Sequence, residues 1–359
     1  MTVTRPCSRE SACFLLCRRL VILLSFKIMG IRKIAKVCLS ILILLTGCEQ
    51  VMDVEEGIGH GQGLMLNALA ATDTVFTASV SRTFLFTEVP ALSYLDYWEY
   101  AMHPGSFYYR DAMCSEAQVE LSVNGKERYA MRYDAERYNY VSDYMPRSGD
   151  RLTLRVRVDG MDEVSAQTVI PASQRLEVVG CEKFYAGKYS TSGDLIDLAK
   201  DTIARITLRL IDPKSETNYY RLKVRSIAYD KPANDDSQII FMYSDIYTSG
   251  DVIFMDERLS ESYGGWPAYF SNVFDDHLFD GKEYTFSIET RLRFGERPHV
   301  VIELQSITRD LYYYLKSVML YRIIFQDAYT EAVQIHSNVS NGWGILGAIG
   351  TEKHVLWLD

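Results

Sequence analysis

From Ala204 to Leu210 the chain places an apolar side chain at every second position, with Arg205, Thr207 and Arg209 between them. Period-two alternation of this kind belongs to a strand with one face in a core and the other in water, and no helix can present it. The pattern recurs. Val75, Thr77, Ser79 and Ser81 alternate with Phe76, Ala78, Val80 and Arg82; Val119, Leu121 and Val123 end at the hairpin signal Asn124-Gly125; Leu152 to Val158 ends at Asp159-Gly160. Val164 to Ile170 stops at Pro171, and further strands are expected at 218–225, 284–288, 300–305 and 354–358.

Short strands punctuated by turns predict a mostly β protein. Residues 64–175 are expected to form a β-sandwich of immunoglobulin or fibronectin type, without the cysteine-tryptophan pin of antibody domains. Residues 176–359 are expected to form a second β-rich domain. One segment differs: Thr308 to Phe325 lacks Gly and Pro and carries Leu311, Leu315, Val318, Tyr321 and Ile324 at steps of three or four. That spacing predicts an amphipathic helix over 308–325, packed on a sheet. The glycines of Gly342-Trp343-Gly344-Ile345-Leu346-Gly347 suit a turn or bulge and close backbone approach before the final strand.

The amino-terminal region is of another kind. Arg32, Lys33 and Lys36 precede an apolar run from Val37 to Leu45, followed by Thr46-Gly47-Cys48. Basic head, short apolar core, small residues and cysteine form the lipobox of a bacterial lipoprotein signal peptide. The run is too short for a transmembrane helix, which needs about 20 residues. Residues 1–47 are therefore expected to be removed, with Met29 as the true start, and Cys48 to carry acyl chains. Residues 48–63 read as an acidic, glycine-rich tether.

Cleavage before Cys48 removes eight Lys or Arg and one acidic residue, leaving 30 basic against 46 acidic side chains. A net charge of −16 on the remainder argues against nucleic-acid partners, whose phosphates need cationic surface. It equally argues against adsorption to anionic lipid, so the anchor on Cys48 must hold the chain to its membrane. Of the seven cysteines only Cys48, Cys114 and Cys181 remain. In an oxidising compartment Cys114 and Cys181 are candidates for a disulfide, with their separation undetermined.

Catalytic motifs are absent: no GxSxG, HExxH, Walker loop or CxxC occurs. The six histidines are scattered, and Asp275-Asp276-His277 reads as a solvated turn rather than a metal site. No cofactor is expected. Aromatic clusters are the stronger lead, because Tyr and Trp offer rigid amphipathic faces to ligands or partners. Tyr94, Tyr97, Trp98, Tyr100, Tyr108 and Tyr109 fall in one long connection, and Trp266 lies in another cluster with Tyr263, Tyr269 and Phe270. These are candidate contact residues, with packing over a sheet edge as the alternative.

Asp212-Pro213, Asn218-Tyr219-Tyr220, Phe274-Asp275-Asp276, Ile307-Thr308-Arg309-Asp310-Leu311-Tyr312 and Asn338-Val339-Ser340-Asn341-Gly342-Trp343-Gly344 occur in that order. With them the chain resembles domain of unknown function family 4249, lipoproteins of the Bacteroidota commonly encoded beside TonB-dependent receptors. The resemblance implies an outer-membrane lipoprotein, at the cell surface or on the periplasmic face, partnered with such a receptor. It transfers no catalytic residues. The expectation is a non-enzymatic binding or accessory component of nutrient uptake; a surface hydrolase of glycans or peptides and a structural adhesin are the alternatives.

Overall fold

The computed structural model describes residues 63–83, 112–185, 202–214, 216–229, 241–244, 247–259, 268–292, 296–324 and 333–358. The first half supplies β1 (Leu64–Ala71), β2 (Thr77–Arg82), β3 (Gln118–Val123), β4 (Glu127–Ala130), β5 (Arg132–Asp134), β6 (Asn139–Val141), β7 (Arg151–Arg157) and β8 (Val164–Val169). The second supplies β9 (Arg175–Tyr185), β10 (Thr202–Ile211), β11 (Tyr219–Tyr229), β12 (Phe241–Ser244), β13 (Tyr247–Thr248), β14 (Val273–Asp275), β15 (Glu283–Arg291) and β16 (Glu296–Ile307). A helix, α1 (Arg309–Ile324), and a long last strand, β17 (Trp343–Trp357), complete the chain. The protein is mostly β, as its alternation predicts.

Nine of these strands form one sheet, ordered β12-β11-β16-β17-β1-β2-β6-β5 with β14 added beside β11. Two smaller sheets, β4-β3-β7-β8 and β13-β15-β10-β9, cover different halves of its inner face. Leu121, Leu152, Leu154 and Val156 meet Leu64, Leu66, Val80 and Tyr140 in one core. Ile206, Leu208, Phe286 and Ile288 meet Leu222, Val224, Ile302 and Leu304 in another. In each strand the residues entering the core are alternate ones, since neighbours point to opposite faces.

The core changes between Ile170 and Leu176, but the halves share a strand. Residues 343–349 of β17 pair in parallel with β1, while 349–357 pair antiparallel with β16. Leu346 and Ala348 lie in the first core, and Leu356 packs on the second. The first sandwich is thus not built from residues 64–175 alone, because the edge of β1 that faces away from β2 takes β17.

That pairing corrects the expected turn at Gly342–Gly347: most of the segment is strand. The glycines serve close approach instead. Gly344 has φ +111°, and a Cβ there would lie 2.1 Å from the Leu66 carbonyl oxygen. Elsewhere turn chemistry matches the pattern. Asn124 (φ 53°) and Gly125 (φ 69°) both take positive φ, and Lys126 N donates to Val123 O at 3.0 Å, closing a tight turn within the three-residue loop between the paired Val123 and Glu127.

The thiols of Cys114 and Cys181 are free. The disulfide considered for them is not formed, since Cys114 belongs to the first core and Cys181 packs against the second. No helix among the described residues is long and apolar enough to cross a membrane.

Candidate functional site

Helix α1 lies on the outer face of the nine-stranded sheet. Its carbonyl ladder starts at Thr308, whose oxygen accepts from Tyr312 N at 2.9 Å, and Asp310 in the first turn opposes the positive end of the helix dipole. The same carboxylate accepts from Asn338 Nδ2 at 3.3 Å and meets His336 Nε2 at 3.0 Å, tying the segment before β17 to the helix. Leu311 and Leu315 pack with Ile307, Ile345 and Ile349.

The buried stripe is rotated from the expected one. Lys316 and Met319 are buried, whereas Tyr321 is exposed. Lys316 Nζ donates to Asp256 Oδ2 and to Ser271 Oγ, each at 2.9 Å. Arg258 grips the same carboxylate with two nitrogens, at 2.9 and 2.8 Å. Asp256 arrives there because the turn Val252–Phe254 sinks Phe254 into the second core against Phe270. Burial by itself would push the Asp256 carboxyl up, but the hydrogen bonds and charges of Arg258 and Lys316 overcome it and hold the group well below the usual carboxylate range. Burial also draws the Lys316 ammonium down, with Asp256 opposing.

Asp275 and Asp276 part company beside this pair. Asp275 accepts from Tyr312 Oη at 3.2 Å and contacts His277. Asp276 is buried rather than solvated, accepting from Asn218 N at 2.7 Å and Asn218 Nδ2 at 3.2 Å. Asp212 Oδ2 accepts from Gly281 N at 2.8 Å, and Tyr220 Oη donates to Oδ1 at 2.5 Å. Oxygens of Asp212, Asp276 and Asp280 come within 4.8 Å of one another. The donors above already engage the two buried members, so the cluster clamps the turns around β10, β11 and β14.

Burial, with Asp276 and Asp280 adding to it, raises the Asp212 carboxyl despite Tyr220 and Gly281. A raised carboxyl favours the fold below its ordinary value, about 3.9, and loses that contribution as pH climbs through the raised one. Asp212→Asn does not titrate. Its stability deficit relative to the parent is expected to narrow upward from about pH 4, in denaturant melts taken across a pH series; a widening deficit would contradict this.

Beyond the helix the outer face stays open as a cleft of about 400 Å³. Register builds its floor. Ile345, Asn67 and Ser79 pair in a row across β17, β1 and β2, and Asn139 of β6 follows, one residue beyond the Ala78–Tyr140 pair. Leu311, Tyr314 and Leu315 of α1 form one wall, with Arg221 and Gln305 at the side of β11 and β16 and Arg137 at the β5–β6 turn. Asn67 Oδ1 and Asn139 Oδ1 are buried and accept no hydrogen bond. Leaving such an acceptor unpaired costs about 1–3 kcal/mol. Among the described residues lining the cleft there is no carboxylate, imidazole or thiol.

Of the residues singled out from sequence, Cys48, Tyr94, Tyr97, Trp98, Tyr100, Tyr108, Tyr109 and Trp266 lie outside the described residues. Tyr140 is a core residue, bridging Cys114 O and Ala117 N through its hydroxyl. Tyr269 is half exposed at φ 65° beside buried Phe270. Asn67, Asn139, Asp256, Arg258 and Lys316 were not singled out; alternation puts Asn67 opposite Leu66 and Ala68, but no pattern announces that its oxygen lacks a partner.

The model of a family described as "Domain of unknown function (DUF4249)" matches residues 49–354. No curated protein matches the chain.

Proposed function

This chain belongs to the DUF4249 family, and we propose that it is a lipid-anchored, non-enzymatic binding protein of the outer membrane, accessory to a TonB-dependent nutrient-uptake system. The cleft carries the reading: it offers amides, hydroxyls, guanidinium groups and an aromatic wall, and among the described residues that line it there is no carboxylate, imidazole or thiol for general acid–base or nucleophilic work. A hydrolase would need such a pair beside its substrate, and the buried carboxylates Asp212 and Asp276 do not line the cleft. The lipobox ending at Cys48 supports the anchor, as does a family match that starts at residue 49. Acyl chains would confine the protein to the plane of its membrane and raise its effective concentration beside an integral receptor.

Affinity isolation of the acylated protein from detergent-solubilised envelope tests the role. A TonB-dependent receptor is expected in the eluate, and Cys48→Ser is expected to release the protein from the membrane fraction. Recovery of the protein without any such receptor, from cells expressing both, would contradict the accessory role.

A further inference from the structure

We propose that the outer face of the large sheet beyond α1, around Trp357, is the face this protein turns to the anionic headgroups of the membrane that holds it. This rests on the lipid-anchored reading above and adds an orientation to it. Register assembles the patch. Leu356 packs on the second core, so the odd-numbered residues at the end of β17 point outward. They complete three rows that cross β11 and β16: Lys223–Glu303–Lys353, Arg225–Val301–Val355 and Ile227–His299–Trp357.

Charge is reversed along these rows. Lys223, Arg225 and Lys353 accompany a single acidic side chain, Glu303, which Arg225 grips and Lys353 meets at 4.0 Å. The whole chain carries a net charge of −9, and −16 without residues 1–47. Such a body is repelled by an anionic surface unless it turns a locally cationic face toward it. Apolar exposure coincides with the cations. Trp357 is 53% exposed and Val355 45%, and the His299 ring lies against the indole with centroids 4.4 Å apart. An indole beside lysine and arginine suits the headgroup layer, where the ring is half buried and the cations stay wet. An acidic protein would match the cations too, but the anchor makes the membrane the surface always at hand. The 15 residues from Cys48 to Gln62 span at most about 50 Å, so the acyl chains do not themselves select a face. The patch does.

Flotation and tryptophan quenching of the full acylated protein in vesicles test this. The vesicles are phosphatidylcholine, with or without phosphatidylglycerol, and carry a nitroxide-headgroup phosphatidylcholine as quencher. Fluorescence is expected to be quenched more in the anionic vesicles, and Trp357→Phe should abolish that difference. Lys353→Gln leaves the indole in place and should lower the ratio of lipid-facing to averted molecules about fivefold, the effect of one cation at an anionic surface. Lys223→Gln with Lys353→Gln should remove the preference for anionic vesicles. Thermal melts identify any variant that fails to fold. Equal quenching in the two kinds of vesicle, or a difference that survives Trp357→Phe, overturns the proposal. Absence of quenching, with the receptor lost from the eluate of the double variant, overturns it in favour of a protein interface. Failure to float with either vesicle removes the anchor and the proposal together, whereas flotation without quenching of Trp357 removes the proposal alone.

Discussion

Alanine at Gly344 is expected to lower stability by upward of about 4 kcal/mol, enough to shift the thermal midpoint by roughly 8 °C or more. Two independent costs coincide there. The φ of +111° is one that side-chain-bearing residues rarely adopt, and the new Cβ would sit 2.1 Å from the Leu66 carbonyl oxygen. Neither can relax without parting β17 from β1, the pairing that joins the two ends of the described chain. Gly347→Ala is the internal control. Its Cβ would meet Leu311 Cδ1 at 2.9 Å, the far end of a side chain, so helix α1 can yield at a cost of about 1–3 kcal/mol. Equal costs at the two positions would show that the β1–β17 contact is not as tight as described.

Asp256→Ala is expected to cost about 3–5 kcal/mol, because it strands Lys316 in the interior with Ser271 as its remaining hydrogen-bond partner. Lys316→Met should cost less, since Arg258 still holds Asp256 through two hydrogen bonds. Replacing both by apolar residues, Asp256→Leu with Lys316→Met, should recover much of the single-variant loss, as buried ion pairs gain little over well-packed hydrophobic substitutes. A double-mutant cycle by denaturant unfolding measures the coupling directly; additive losses would mean that the two side chains act independently. The pair also has a pH signature. The folded carboxyl of Asp256 lies below its unfolded value, so its contribution is full above about pH 4 and is lost as pH falls toward the depressed value. That is opposite in sign to Asp212, whose contribution fades as pH rises.

Much of the fold was legible because period two is a local signal. β3, β7, β8 and β10 stand where Val119, Leu152, Val164 and Ala204 begin their alternations, and helix α1, at Arg309–Ile324, lies inside the span free of Gly and Pro. The orientation of that helix was less legible. Drawn through Val318 and Tyr321, the stripe leaves Lys316 in solvent; drawn through Met319, it takes Lys316 inside. Hydrophobicity alone cannot choose the second, because the lysine is buried for the sake of Asp256, 60 residues away. Sharing of β17 was hidden for a related reason. Parallel pairing of β1 with residues 343–349 is a contact between the two ends of the described chain, and glycine at Gly344 and Gly347 signals close approach without naming what approaches.

The candidate site shows the same division. The motifs converge locally: Asp212 meets Tyr220 eight residues on, while Asn218 meets Asp276 and Tyr312 meets Asp275 over longer separations. Each looks unremarkable alone; together they pin the turns around β10, β11 and β14 and the first turns of α1. The cleft has no motif at all. Asn67, Ser79 and Asn139 come from three strands, and only sheet register sets them in a row.

The account stands most directly on the anchor, and the mass of the amino-terminal peptide from protein purified out of its native envelope decides it. The prediction is a peptide beginning at Cys48 and carrying a diacylglyceryl group, with or without a further acyl chain on its amine. A bare thiol at Cys48, or a chain that still holds the residues before it, would contradict the account.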